Sequence, residues 1–154
     1  MKFQDLLTPE AVKVVGAASS KKRLIHDLGD LAASAHNLES ARVIDALMER
    51  EALGPTGVGD GVALPHARIA GLTDVCGVFV RLEKPIDFDA VDRQPVDLVF
   101  SLFAPEEAGV EHLKALALVS RTLRDAGLRG KLRANHDAGT LYTILTATEA
   151  VAAA

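Results

Sequence analysis

Apolar positions along the chain follow two rhythms, separated by a stretch dense in glycine. Val12–Val15 is a short β-branched run that predicts a strand. Ser19 or Ser20 then offers an N-cap, and Leu24, Leu28 and Leu31 recur at helical spacing. Together they predict an amphipathic helix over Lys21–Ala35. A second helix begins near Glu39, turns Val43, Ile44, Leu47 and Met48 inward, and stops before Gly54-Pro55. From Gly54 to Gly61 the sequence is GPTGVGDG, with four glycines and one proline in eight positions, which predicts a loop of unusual backbone geometry. Gly61–Leu64 is a candidate short strand ended by Pro65. Val75–Leu82 and Val96–Phe103 are the plainest strands, and Lys84–Gln94 connects them with room for an edge strand. Helical spacing returns over Glu111–Arg124 through Leu113, Leu116, Ala117 and Ser120. Leu128–Arg133 predicts a short helix, Gly139–Thr148 a longer one, and the last four residues, VAAA, a frayed end. Helices flanking a few strands make an α/β sandwich, although the strand order is not readable from periodicity.

Composition narrows the function. The 154 residues fit one domain, and 49% hydrophobic content supplies a core without disulfide or metal staples. Cys76 is the single cysteine, so no internal disulfide is possible; in its apolar run it reads as a small packed hydrophobe, which suits a cytoplasmic setting. A net charge of -4 argues against a nucleic-acid groove, which needs a concentrated cationic surface. No apolar stretch approaches the roughly 20 residues that span a bilayer, and MKFQDLLTPE lacks the plan of a secretory signal.

Two of the five histidines have neighbours that suggest chemistry. His66 follows the glycine loop in Leu64-Pro65-His66-Ala67-Arg68. Proline fixes its own φ and biases Leu64 to an extended shape, so the histidine is expected at the end of a strand, on a stiff corner. A nucleophilic imidazole needs this placement, with one nitrogen free and the other hydrogen-bonded. Glycine backbone N–H groups can approach an anion closely. The plain alternative is a turn histidine without a role. His112 lies in the first turn of its helix, on a stripe with Leu116, Val119 and Leu123. The helix dipole there favours a neutral ring, able to offer an N–H to an anion drawn to the helix N-terminus; the alternative is a satisfied, half-buried histidine. Arg50, between Glu49 and Glu51, reads as part of a solvated charge cluster, yet lies four residues before the loop, where its fork could grip phosphate oxygens. His26, His36 and His136 read as surface residues. Neither HExxH nor CxxC is present, so no metal or other cofactor is expected, with zinc on two histidines and an acid such as Glu111 as the alternative.

The run from Glu49 to Leu72, with PTGVGDGVALPHARIAGL, resembles the active-site segment of the fructose/mannitol/nitrogen-regulatory enzyme IIA family of the phosphotransferase system. The segment from Pro95 to Asp125, PVDLVFSLFAPEEAGVEHLKALALVSRTLRD, is similar to that family's second signature. The likeness runs in order along nearly the whole chain, read as one domain over 1–154. It implies a mixed β-sheet flanked by helices on both faces. It implies that His66 accepts a phosphoryl group from a small histidine phosphocarrier protein, that Arg50 contacts that group and that His112 assists from across the pocket. Pro55 stands where the pattern leads one to expect serine, and Ala67 where it leads one to expect glycine; neither removes a reacting group. The wording TGVGDGVALPHAR and QPVDLVF is nearest to the nitrogen-regulatory branch, whose members act on regulatory protein targets. A stand-alone fructose- or mannitol-type sugar-transport component, or a binding module without phosphoryl transfer, are the alternatives.

Overall fold

The computed structural model describes residues 1–153, with side chains described as far as Ala147. The fraying expected of Val151–Ala154 concerns residues whose side chains, and for Ala154 the backbone, lie outside that description. Along the chain run α1 (Phe3–Leu6), a 3₁₀ turn (Pro9–Ala11), β1 (Val12–Val15), α2 (Lys21–His36), α3 (Ser40–Leu53), β2 (Gly57–Gly59), β3 (Val62–Ala63), β4 (His66–Ile69), β5 (Cys76–Ile86), β6 (Val96–Pro105), α4 (Val110–Leu123), α5 (Ala126–Ala134) and α6 (Ala138–Ala153). Six strands form one mixed sheet in the order β1-β5-β6-β3-β2, with β4 also paired to β6. Helices cover both faces, as the resemblance implied.

The long hydrophobic strands β5 and β6 pair antiparallel at the centre, with Phe79 opposite Phe100. Both are fully buried, because a strand covered on two faces cannot alternate apolar with polar. Phe3 brings α1 onto this pair, its ring edge-on to Phe100 at 5.6 Å. The sequence reading missed α1, whose four residues are too few to show a helical period. Ser20 caps α2 by accepting from the Arg23 N–H at 3.0 Å. Leu24 and Leu28 of that helix, with Val43 and Leu47 of α3, are fully buried.

The glycine-rich stretch differs from the expected loop. Gly57–Gly59 and Val62–Ala63 form a small antiparallel hairpin around Asp60-Gly61. Asp60 has φ 57° and Gly61 φ 78°, so both central residues are left-handed, as a two-residue hairpin turn requires. The second difference concerns His66. It does not end a strand but begins one: β4 runs parallel to β6, with His66 opposite Leu102. Thus β3 and β4 lie end to end along one edge of β6, and Leu64-Pro65 interrupts them. Proline lacks a ladder donor, but the Pro65 carbonyl still accepts from the Leu102 N–H at 3.0 Å.

Candidate functional site

The interruption between β3 and β4 puts His66 half-buried against the sheet, its ring directed by its own chain. His66 Nδ1 lies 2.8 Å from the Leu64 carbonyl oxygen. A carbonyl can only accept, so Nδ1 carries the proton and Nε2 keeps its lone pair. His112 faces this ring from the first turn of α4; the centroids are 5.6 Å apart and the planes nearly perpendicular, at 76°.

His112 is 7% exposed, and its Nδ1 is buried without a hydrogen-bond partner. Burial, then the charge of a protonated His66, then Arg68 hold its pKa below the ordinary 6.5. The ring is therefore neutral at neutral pH. Gly109 caps α4 without a side-chain hydrogen bond, which leaves the amides of its first turn uncommitted beside the histidines. Arg68, two residues beyond His66, donates from Nη1 to the carbonyls of Glu106 (2.8 Å) and Ala108 (2.6 Å). It ties β4 to the turn that launches α4, and so fixes the mutual position of the two imidazoles.

Arg50 lies in the last turn of α3, the helix that packs against β4. It is half-buried and donates to the Gly54 carbonyl at 2.9 Å, so it is less free than a solvated cluster would be. Its hydrogen bond is to the loop entrance, not to either histidine. Neighbouring Glu51 turns inward, where its carboxylate meets Lys21 and Thr56, because the glycine loop folds back over the end of α3. Sequence reasoning missed this burial, since nothing local distinguishes Glu51 from Glu49.

Of the remaining histidines, His26 and His36 are half-buried, whereas His136 is exposed, as the surface reading expected. His36 donates through Nε2 to the Gly77 carbonyl at 2.7 Å, and His136 accepts through Nδ1 from the buried Arg81 at 3.1 Å. The first anchors the end of α2 on β5; the second holds the turn before α6. Cys76 is buried, and burial followed by the Asp74 charge pushes its thiol up to about 12, so it packs as the expected hydrophobe. Among the described residues, no three His, Cys, Asp or Glu side chains converge as a metal centre would need. No described helix is long and apolar enough to cross a membrane.

Residues 5–148 match the model of the phosphoenolpyruvate-dependent sugar phosphotransferase system EIIA 2 family. The chain belongs to this enzyme IIA family. Among its relatives, a nitrogen regulatory protein of Bradyrhizobium diazoefficiens is 46% identical over 153 residues, covering 99% of this chain and all of the relative. A nitrogen regulatory protein of Escherichia coli is 39% identical, covering 97% of this chain and 92% of its own. The crystal structure of nitrogen regulatory protein IIA-Ntr from Neisseria meningitidis superposes with a TM-score of 0.83 at 38% identity, covering 93% of this chain and 97% of that one. The enzyme IIA fold thus carries the histidine pair at the edge of β6.

Proposed function

We propose that this enzyme IIA chain is a phosphocarrier in which His66 Nε2 takes a phosphoryl group from a small histidine phosphocarrier protein. The observation that carries the reading is the hydrogen bond from His66 Nδ1–H to the Leu64 carbonyl, which leaves Nε2 as the nucleophile. The Nε2 lone pair attacks phosphorus in line; a new P–N bond forms as the donor's P–N bond breaks, and the donor imidazole leaves with that electron pair. Catalysis is then mostly positioning and charge stabilisation. His112 and the first-turn amides of α4 face the incoming oxygens, and Arg50 supplies a fork from the loop entrance. The reaction as written needs no metal or nucleotide on this chain.

Val110 and Leu113, both exposed apolar residues beside His112, give the site a rim on which a protein can dock. Phosphorylation adds roughly one and a half to two negative charges at the centre of that rim. Partners that use it must lose contact or present an arginine, so the two forms of the protein select different targets. The likeness to nitrogen regulatory proteins supports a regulatory role, in the cytoplasm, above sugar delivery. The test begins with labelled phosphoenolpyruvate, the upstream kinase and the histidine phosphocarrier. Acid-labile label mapped to the His66 peptide is the expected result; no uptake would leave a binding module. Titration of one identified target against both forms then decides the role: about 1–3 kcal/mol of discrimination fits a switch, whereas equal affinities would favour the sugar-transport component.

A further inference from the structure

The carboxylate of Glu51 is only 6% exposed, and three donors surround it. Lys21 Nζ lies at 2.8 Å from Oε2, the Thr56 N–H reaches the same oxygen at 3.3 Å, and the Thr56 hydroxyl donates to Oε1. Lys21 is itself seated, 4.6 Å above the Phe88 ring and 3.5 Å from Asp89. A buried ion pair is a poor way to gain stability, since apolar replacements often serve as well. What this one does is fix Thr56. The Thr56 carbonyl accepts from the Leu64 N–H at 2.9 Å, and the Leu64 carbonyl accepts from His66 Nδ1–H at 2.8 Å. Pro65, between them, restricts the chain from the other side.

We propose that Glu51, acting through Thr56 and Leu64, is a positioning residue that sets the tautomer and direction of His66. Which ring nitrogen holds the proton is decided by the partner of the other. If the Leu64 carbonyl drifts, the proton redistributes to Nε2 in a share of molecules, and those molecules have no nucleophile there. Lys21 holds that carboxylate in place in a site largely closed to water. The effect on transfer rests on the phosphocarrier reading; the effect on the tautomer does not.

The decisive measurement is the imidazole nitrogen NMR spectrum of the whole chain at about pH 8, above the ordinary imidazole value of about 6.5. In the native protein His66 reads as the Nδ1–H form. Thr56→Val keeps the shape but removes the hydroxyl, and gives a mixed tautomer with label uptake slowed about five- to tenfold, the scale of one hydrogen bond. Thr56→Ser restores both readings. Glu51→Gln, which has one acceptor for three donors, also gives a mixture and serves if Thr56→Val does not fold. A folded Thr56→Val or Glu51→Gln protein with the native tautomer overturns the proposal, whatever its thermal stability. Tautomers that respond as stated in a protein that takes up no label would uphold the positioning role and refute the phosphocarrier reading instead.

Discussion

The two ends of β6 carry charge in opposite ways. At its start, Asp97 receives two bonds from Arg133, Nε at 2.9 Å and Nη2 at 2.8 Å, and Arg133 also donates to the Asp60 carbonyl. Arg81 nearby donates to the Arg133 carbonyl and to His136. Apart from Arg81 Nε, which is buried without a partner, these groups consume one another, and the result is a clasp that holds α5 and the 60–61 turn on the sheet. At the far end, beside Leu102, His66 and Arg68 are held by main-chain carbonyls alone. His66 is bound only through Nδ1, His112 has an unpartnered nitrogen, and α4 begins without a side-chain cap. The difference teaches that a site is recognised less by how many charges it gathers than by how few of them are satisfied from within.

The largest separation of the two ends is expected from His66→Ala. It should abolish acid-labile phosphate uptake while the thermal midpoint stays near the native value, because the half-buried ring fills no core space. Full labelling on another histidine would assign the nucleophile elsewhere. Next comes Arg50→Ala. Transfer should slow by about a hundredfold to a thousandfold if Arg50 reaches the transferring oxygens. Because it also closes the end of α3 on Gly54, a stability loss of about 0.5–1.5 kcal/mol in urea unfolding accompanies it. An unaltered transfer rate would hand the role to Arg68.

At the clasp the signs reverse. Asp97→Ala should cost about 1–2 kcal/mol, a forked charge-assisted pair discounted because the Arg133 side chain is about a third exposed, and should leave label uptake unchanged. A loss of uptake without loss of stability would dissolve the distinction between the two ends. The smallest effect concerns pH. The folded pKa of His112 is depressed, so the unfolded chain binds its proton first as pH falls. His112 therefore supports the fold fully above the ordinary 6.5, and that support is lost as pH falls from there toward the folded pKa. His112→Asn should flatten this part of the stability profile, which urea titrations on either side of pH 6.5 would show.

Much of the fold was legible because it is written locally. The Ser20 cap, the leucine spacing of α2 and the Val-rich β5 and β6 each need only neighbouring residues to be recognised. What escaped depends on distant partners. β4 is a strand only because Leu102 to Pro105 lie beside it, and HARI alone has no pattern that says so. Asp60-Gly61 is a hairpin-turn pair, but the glycines before it carry no strand pattern, so the stretch reads as a loop. At the site, the stiffness conferred by Pro65 and the inward face of His112 could be anticipated. The burial of Glu51 and the grip of Arg50 on Gly54 could not, since identical acids flank that arginine and only the folded loop tells them apart.

His66 is stitched into the sheet's edge, with the Pro65 carbonyl bonded to Leu102 just before it. Such a nucleophile has no swinging arm. Cargo cannot be carried from one partner to another by motion of the residue; each partner must come to the same berth and leave before the next arrives. In the proposed role, donor and recipient are therefore rivals for one dock, traffic alternates as in a ping-pong sequence, and an excess of either visitor stalls the line as surely as a shortage.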